Sequence, residues 1–305
     1  MSASICTKCK RDGSIYHRPY SGERLCTKCF KASIIERVQK TINLHDMLKH
    51  DCRIAVGVSG GKDSLTLLHV LKEIEEGSHG SELIAITVDE GIHCYREEAL
   101  SIVDRNIKAL GIEWIKVSFN ELFGTTLDAL AAEERPLTAC SYCGVLRRRA
   151  LNEAARSVGA DRLATGHTLD DMAQSALLNL IRGDLSKMSS LNPGGFSQKG
   201  FVRRIKPLCE VPERETTLYA YLSGFDFQSI ACPYSEEAMR NDARNWLAIM
   251  EEKRPGTMYT TFHTALKLMP KIQKVEMNSC RFCNEPTSGD SCRVCQIIFN
   301  GKLRV

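Results

Sequence analysis

The sequence predicts an α/β fold: a parallel sheet with helices on both faces, flanked by two small zinc ribbons. Three observations predict it. Apolar, β-rich runs alternate with amphipathic helical segments between residues 51 and 254. A glycine turn stands where the first of those runs hands over to a helix. Cysteines in C-x2-C pairs occupy both ends of the chain, four at each end.

Residues 1–30 are rich in Cys, Lys and turn formers and read as a ribbon. Residues 31–49 place Ile34, Ile35, Val38, Ile42, Leu44, Met47 and Leu48 at helical spacing. The run CRIAVGVSG is a strand ending in glycines, and KDSLTLLHVLKEIEE is an amphipathic helix. ELIAITVDEG reads as a second buried strand, REEALSIVDRNIKALG as a helix and IEWIKVSF as a third strand. VLRRRALNEAARSVGA is helical, DRLATGH is a short strand and TLDDMAQSALLNLIRGD is again a helix. This alternation requires right-handed crossovers and so a Rossmann-like parallel sheet. The polar stretch 184–200 reads as a loop long enough to touch a substrate, and helices at about 211–223 and 235–254 close the core. The expected organisation is an N-terminal zinc ribbon over 1–30, a linker helix over 31–50, a catalytic domain over 51–254, a helical linker over 255–275 and a C-terminal zinc ribbon over 276–305.

Apolar residues make up 43% of the 305 and charged residues 26%, which excludes collagen-like and disordered classes. No run approaches the ~18 apolar residues of a membrane span, and MSASICTKCK has no leader-like apolar core, so a cytoplasmic protein without a membrane partner is expected. Fourteen cysteines in such a chain suit metal or redox chemistry better than disulfides. The net charge of +4 is unevenly spread: residues 1–50 and 253–305 each carry +6, and 51–252 carry −8. Basic ends on an acidic middle suit contact with a polyanion, or simply two solvated faces.

Ser59-Gly60-Gly61-Lys62-Asp63-Ser64 falls between the first strand and the next helix, where open parallel sheets bind ligands. Its glycines let backbone N–H groups approach phosphate oxygens, the helix N-terminus adds partial positive charge, and Ser59 and Ser64 offer hydroxyls. A Walker A loop is excluded, because Val56 stands where that motif needs glycine and Asp63 where it needs Ser or Thr. The competing reading is a glycine turn capped by Ser64. S-G-G-K-D-S resembles the signature of the PP-loop ATP pyrophosphatase superfamily, and Asp89-Glu90-Gly91 and Gly166-His167-Thr168-Leu169-Asp170-Asp171 extend the resemblance over about residues 50–245. The resemblance implies cleavage of ATP between its α- and β-phosphates and adenylation of a carbonyl oxygen. It places Asp89 and Gly166 near the nucleotide, and Asp63 and Asp171 near Mg²⁺-bound phosphates. Helix N-terminal charge alone would also account for Asp170 and Asp171.

Cys140 and Cys143 stand in CSYCGVLRRRAL at the start of a predicted helix, whose dipole is expected to lower thiol pKa, and Cys232 stands in ACPYS. A C-x2-C pair by itself is shared by redox dithiols and zinc sites. The longer string C-S-Y-C-G-V-L-R-R-R-A-L-N, with G-H-T-L-D-D and L-N-L-I-R-G-D, resembles the archaeal–eukaryotic tRNA 2-thiouridine synthetases. That resemblance implies that Cys140, Cys143 and Cys232 hold a 4Fe-4S cluster whose fourth iron is open to sulfide; a persulfide on one cysteine with a resolving partner is the alternative. It further implies tRNA as substrate, a sulfur donor that is a thiocarboxylated ubiquitin-like protein or free sulfide, and a homodimer. L-N-L-I-R-G-D looks more like the wobble-uridine group than the ribothymidine-loop group. Arg147 sits where the family often has Lys, which puts a proton-transfer role there in doubt. At least one of Arg147, Arg148 and Arg149 is expected to face the nucleotide or the tRNA backbone. Arg203, Arg204 and Lys206 suit phosphate contacts or a solvated edge strand.

Cys6, Cys9, Cys26 and Cys29 form one paired knuckle and Cys280, Cys283, Cys292 and Cys295 another, the arrangement of structural sites for two Zn²⁺. Lys8, Lys10, Arg11, Arg281, Arg293, Lys302 and Arg304 accompany them and are expected to grip tRNA phosphates. His17 is expected at the surface, and the isolated Cys52, Cys94 and Cys209 as small buried hydrophobes. Two other function classes compete: a different PP-loop ligase or amidase, disfavoured by the sulfur-site cysteines and twin ribbons, and a zinc-ribbon RNA-binding scaffold with a dead nucleotide site, opposed by the intact SGGKDS.

Overall fold

A computed structural model describes residues 4–78, 80–133, 137–235, 240–269 and 277–299. Lys302, Arg304 and residues 270–276 of the expected linker and ribbon lie outside the described residues. In the N-terminal ribbon, β1 (Tyr16–Arg18) pairs antiparallel with β2 (Glu23–Leu25). Helix α1 (Thr27–Leu44) begins four residues before the expected 31, because Cys26 in extended backbone is its N-cap and accepts the Phe30 N–H at 2.8 Å. Cys29 therefore lies in the helix's first turn. The stripe Phe30, Ile34, Val38 and Ile42 is buried, at the four-residue spacing that keeps side chains on one helical face.

Continuous apolar runs build the central sheet, as expected for strands covered on both faces. Its elements follow in chain order as β3 (Arg53–Gly57), α2 (Lys62–Ser78), β4 (Glu82–Asp89), α3 (Arg96–Leu110), β5 (Glu113–Ser118), α4 (Phe119–Phe123), α5 (Leu127–Ala132), α6 (Ala139–Ser157), β6 (Arg162–Thr165), α7 (Leu169–Ile181) and β7 (Arg203–Ile205). All pairings are parallel, in the order β5-β4-β3-β6-β7. The order reverses between β3 and β6, where Gly57 lies opposite Thr165. Crossovers leave in opposite directions from that point and open a crevice beyond the strand ends.

Helices α8 (Glu213–Ser223), α9 (Arg240–Lys253) and α10 (Thr257–Lys267) complete the core. The C-terminal ribbon follows with β8 (Asn278–Ser279), β9 (Pro286–Thr287) and α11 (Arg293–Phe299). The expected loop 184–200 holds a 3-10 helix over Leu185–Leu191, started by the Asp184 carboxylate accepting the Lys187 N–H at 3.2 Å. The short helices α4 and α5 were not expected. Ser118 and Glu121 exchange side-chain and backbone bonds at the start of α4, and Thr126 caps α5.

Ion pairs fasten both ribbons to the core. Glu215 of α8, fully buried, accepts Arg18 Nε at 3.0 Å and Arg37 at 3.2 Å. Glu285 of the C-terminal ribbon pairs with Arg149 at 2.6 Å and Arg156 at 2.8 Å, both on α6. Among the described residues no helix is long and apolar enough to cross a membrane.

Candidate active site and metal centres

The crevice at the switch point contains a pocket of about 280 Å³, with Ser59, Gly61, Asp63, Gly166 and Asp171 in its wall. Gly60 has φ +94°, and a Cβ there would lie 2.9 Å from the Ala99 carbonyl oxygen, so both conformation and space call for glycine. At Gly166 a Cβ would lie 3.0 Å from the Asp63 and Ser64 backbone, so this glycine lets the loop after β6 close on the start of α2. Hydroxyls shape the turn: Ser64 Oγ accepts the Ser59 N–H at 3.1 Å and donates to Gly61 O at 2.9 Å, while Ser59 Oγ accepts the Gly61 N–H at 3.3 Å. The Ser64 cap and the anion-suited turn are thus one structure.

Lys62 turns to carboxylates, with Nζ 2.9 Å from Asp63 Oδ2 and 2.6 Å from Glu213 Oε1. Burial opposes its charge, but these two carboxylates outweigh it and raise its pKa. Asp63 also accepts the Thr216 hydroxyl. Burial pushes its carboxyl above the usual range against the pull of Lys62. Asp171 accepts the Thr168 N–H at 3.1 Å as a helix cap and pairs with Arg240 at 3.2 Å while lining the pocket. Its neighbour Asp170 instead accepts the Glu213 N–H at 2.7 Å. Asp89 accepts the Gly91 N–H at 3.0 Å and closes the turn after β4, whereas Glu90 reaches the pocket wall.

Thr138 caps α6, and Cys140 and Cys143 lie in its first turns. Cys140 Sγ donates to the Tyr234 carbonyl at 3.0 Å, which draws in the segment carrying Cys232. Cys232 is half-buried and packs on the apolar cluster that contains Cys143. The expected lowering of thiol pKa by the helix N-terminus is overturned at Cys143. Burial pushes that thiol up and outweighs the nearby Arg147 guanidinium. Arg147 donates to Cys143 Sγ at 2.8 Å and pairs with Glu90 at 2.9 Å, and Arg96 holds the other Glu90 oxygen at 2.9 Å. Arg147 and Glu90 line the pocket below the phosphate turn as well, so that pocket and Cys143 share a wall.

Four sulfurs close on one another in each ribbon: Cys6, Cys9, Cys26 and Cys29, and Cys280, Cys283, Cys292 and Cys295, within 4.8 Å in both sets. Backbone N–H groups point at the sulfurs, Cys292 to Cys280 at 3.2 Å and Cys295 to Cys292 at 3.4 Å. A closed tetrahedral thiolate shell fits both. Cys140, Cys143 and Cys232 are drawn to one side of α6 by the Cys140–Tyr234 bond and a shared apolar cluster, but among the described residues they are not one of the groups whose ligand atoms lie within 4.8 Å of one another. His17 is exposed and Cys52 and Cys209 are buried, as expected; Cys94 is exposed, with φ +59°. Lys8 pairs with Glu36 at 2.7 Å.

Sequence reasoning did not single out Glu213, Thr216, Arg96 or Arg240. Glu213, Thr216 and Arg240 meet the site from elements distant in sequence, and Arg96, six residues after Glu90, stands at no motif spacing.

Residues 31–251 match the model of a PP-loop domain family. The chain is 36% identical to the tRNA 2-thiolation protein NcsA of Haloferax volcanii, over 96% of this chain and 98% of that one. It is 37% identical to the cytoplasmic tRNA 2-thiolation protein 1 of Bos taurus, over 98% and 88%. Among solved structures, the U34-tRNA thiolase NcsA from Methanococcus maripaludis with its [4Fe-4S] cluster superposes with a TM-score of 0.87 at 35% identity, covering 98% of this chain and 97% of that one.

Proposed function

Because the chain belongs to the PP-loop family of tRNA 2-thiolation proteins, we propose that it replaces the C2 oxygen of a tRNA uridine with sulfur at the expense of ATP. The wobble uridine is the proposed target, supported by the U34 named for the solved relative. The observation that carries the reading is the shared wall: Arg147 and Glu90 stand both in the pocket below the phosphate turn and beside Cys143.

The 59–64 turn and the start of α2 offer N–H donors and partial positive charge to the nucleotide phosphates. Asp63 and Asp171 supply the oxygen ligands that Mg²⁺ prefers. Lys62 exchanges Glu213 for a phosphate oxygen, and its charge follows the charge developing on the phosphates. The uridine O2 attacks the α-phosphorus, the bond to pyrophosphate breaks with its electron pair, and the N3 proton leaves. A sulfur nucleophile then adds to C2, and AMP departs with the former O2. Cys140, Cys143 and Cys232 would hold a 4Fe-4S cluster, which supplies an iron open to sulfur. Arg147, clamped by Glu90, keeps a positive charge beside that sulfur chemistry.

In the same reading the segments 1–30, 31–50, 51–254, 255–275 and 276–305 act as ribbon, linker, catalytic domain, linker and ribbon. Both ribbons hold Zn²⁺ and contact tRNA. The enzyme works as a cytoplasmic homodimer, fed by a thiocarboxylated ubiquitin-like protein or by sulfide. Anaerobic protein given ATP, sulfide and unmodified tRNA should release pyrophosphate and form 2-thiouridine at the wobble position, read by mass spectrometry of mapped fragments. Pyrophosphate without 2-thiouridine sinks the thiolase reading; 2-thiouridine elsewhere in the tRNA sinks the wobble assignment.

A further inference from the structure

A second pocket, of about 620 Å³, adjoins the first and shares His167 and Arg240 with it. One face of α6 forms its floor through Val145, Arg148, Arg149 and Asn152, spaced three to four residues apart. The segment from the 3-10 helix to β7 forms one side, and the C-terminal ribbon closes another with Pro286 and Arg293. The walls are held firmly. Asn152 accepts the Val202 N–H at 2.9 Å and donates to Gly200 O at 3.1 Å, and Glu285 holds the ribbon to Arg149 and Arg156.

Its chemistry is one-sided. Arg148, Arg149, Arg204, Lys206, Arg240 and Arg293 line it, and among the described residues no aspartate or glutamate does. Arg149 and Arg240 are neutralised by Glu285 and Asp171. Arg204 is not: its buried Nε has no hydrogen-bond partner among the described residues. Lys206, 9% exposed, donates to the Ser190 carbonyl rather than to a carboxylate. Burial pulls Arg204 down to about 10, with Arg148 pushing the same way, and pulls Lys206 down to about 8. Like charges gathered and desolvated without a counter-charge destabilise a fold unless a ligand supplies the anion. Two large aromatic side chains in the same wall, Phe196 and Phe201, remain 43% and 39% exposed. Unpaired cations beside exposed rings are how proteins hold single-stranded nucleic acid, phosphate on the cations and base on the ring. The volume suits one nucleotide.

We propose that this pocket seats one unpaired nucleotide of the substrate RNA, its phosphate on Arg148 and Arg204 and its base against Phe196 or Phe201. The adjoining uridine is thereby delivered across the His167–Arg240 wall to the nucleotide pocket. The inference rests on the tRNA reading above. It also makes the C-terminal ribbon a wall of the seat rather than a general basic arm.

The test uses the full-length protein, prepared without oxygen, and measures affinity for an unmodified tRNA and for a seven-nucleotide unpaired RNA over a range of KCl. Arg105→Gln, a charge removed outside the pocket, sets the baseline. Arg148→Gln with Arg204→Gln should weaken both RNAs about tenfold or more and flatten the salt slope by about 0.7 per charge. Arg204→Lys should retain most of the slope. Phe196→Ala with Phe201→Ala should cost about tenfold in affinity with the slope unchanged, because stacking releases no counterions. An ATP-dependent rise in melting temperature confirms that each variant is folded. A folded Arg148/Arg204 double variant with wild-type affinity and slope overturns the proposal, and wild-type affinity in the Phe double variant overturns the base seat. If the wild type thiolates tRNA and these variants match it, only the pocket fails. If the wild type binds neither RNA, the tRNA reading fails with it.

Discussion

Lys62 bonds two carboxylates at once, and Asp63 bonds a lysine and a hydroxyl, in a wall where a bare pair would be costly to bury. These are groups oriented next to the phosphate turn, and their removal touches little of the core. Asp63→Ala should therefore lower pyrophosphate release by about 100-fold or more, at a stability cost of about 1 kcal/mol for the lost Thr216 bond. Near-normal release from the purified variant would remove Asp63 from the site. Lys206 gives the opposite balance. Its pKa, lowered by burial to about 8, means that the fold disfavours its charged form. Between that value and the unfolded lysine value near ~10.4 the unfolded chain binds more protons, so stability contributed here rises with pH across that window and is lowest below it. Lys206→Met should accordingly stabilise the protein by about 1–3 kcal/mol at pH 7, with the gain shrinking towards pH 10.5, while weakening RNA binding. Urea midpoints at both pH values decide it; a destabilised variant at pH 7 would mean that the Ser190 contact outweighs the desolvation.

Elements that bury a continuous apolar run were legible in the sequence, because β3, β4 and β6 have no polar face and each is followed by a helix with one. The phosphate turn and the eight ribbon cysteines were legible for the same kind of reason, since their chemistry fixes local spacing. Short α4 and α5 were not: five- and six-residue helices carry too little periodicity, and only their Ser118 and Thr126 caps signal them. Nor were the clamps on Arg147 and Lys62, because Glu90 and Glu213 come to them by tertiary folding. The same limit hid Glu215, an acidic residue on α8 that reads as solvated yet is fully buried. It accepts Arg18, Arg37 and the Tyr20 hydroxyl at 2.6 Å, tying the N-terminal ribbon and α1 to α8. Glu215→Ala strands two arginines and should cost about 3–5 kcal/mol in a urea melt. A cost below about 1 kcal/mol would mean that water or a rearranged Glu23 replaces it.

Across the whole molecule, Glu215 and Glu285 tie the two ribbons to an acidic central body, and Cys143 is held by Arg147 in the wall of the nucleotide pocket rather than in either ribbon. The three cysteine sets should therefore differ in how they hold metal. Each ribbon offers four thiols for a closed shell, with N–H donors on the sulfurs of the C-terminal one, and such a shell leaves no corner for an oxidant. In the proposed reading Cys140, Cys143 and Cys232 would hold a cluster with one iron not ligated by protein, which oxygen and sulfide would reach alike. Protein purified without oxygen should be brown, with about four irons and about two zincs per chain, and air should strip the iron while the zinc stays. Cys232→Ser should lose the colour and keep both zincs, whereas Cys283→Ser should lose about one zinc and keep the iron. Elemental analysis of the two variants reads the assignment without any assay of activity. An anaerobic preparation that is colourless, holds zinc alone and still thiolates tRNA would move the sulfur chemistry to a persulfide on Cys140 or Cys143.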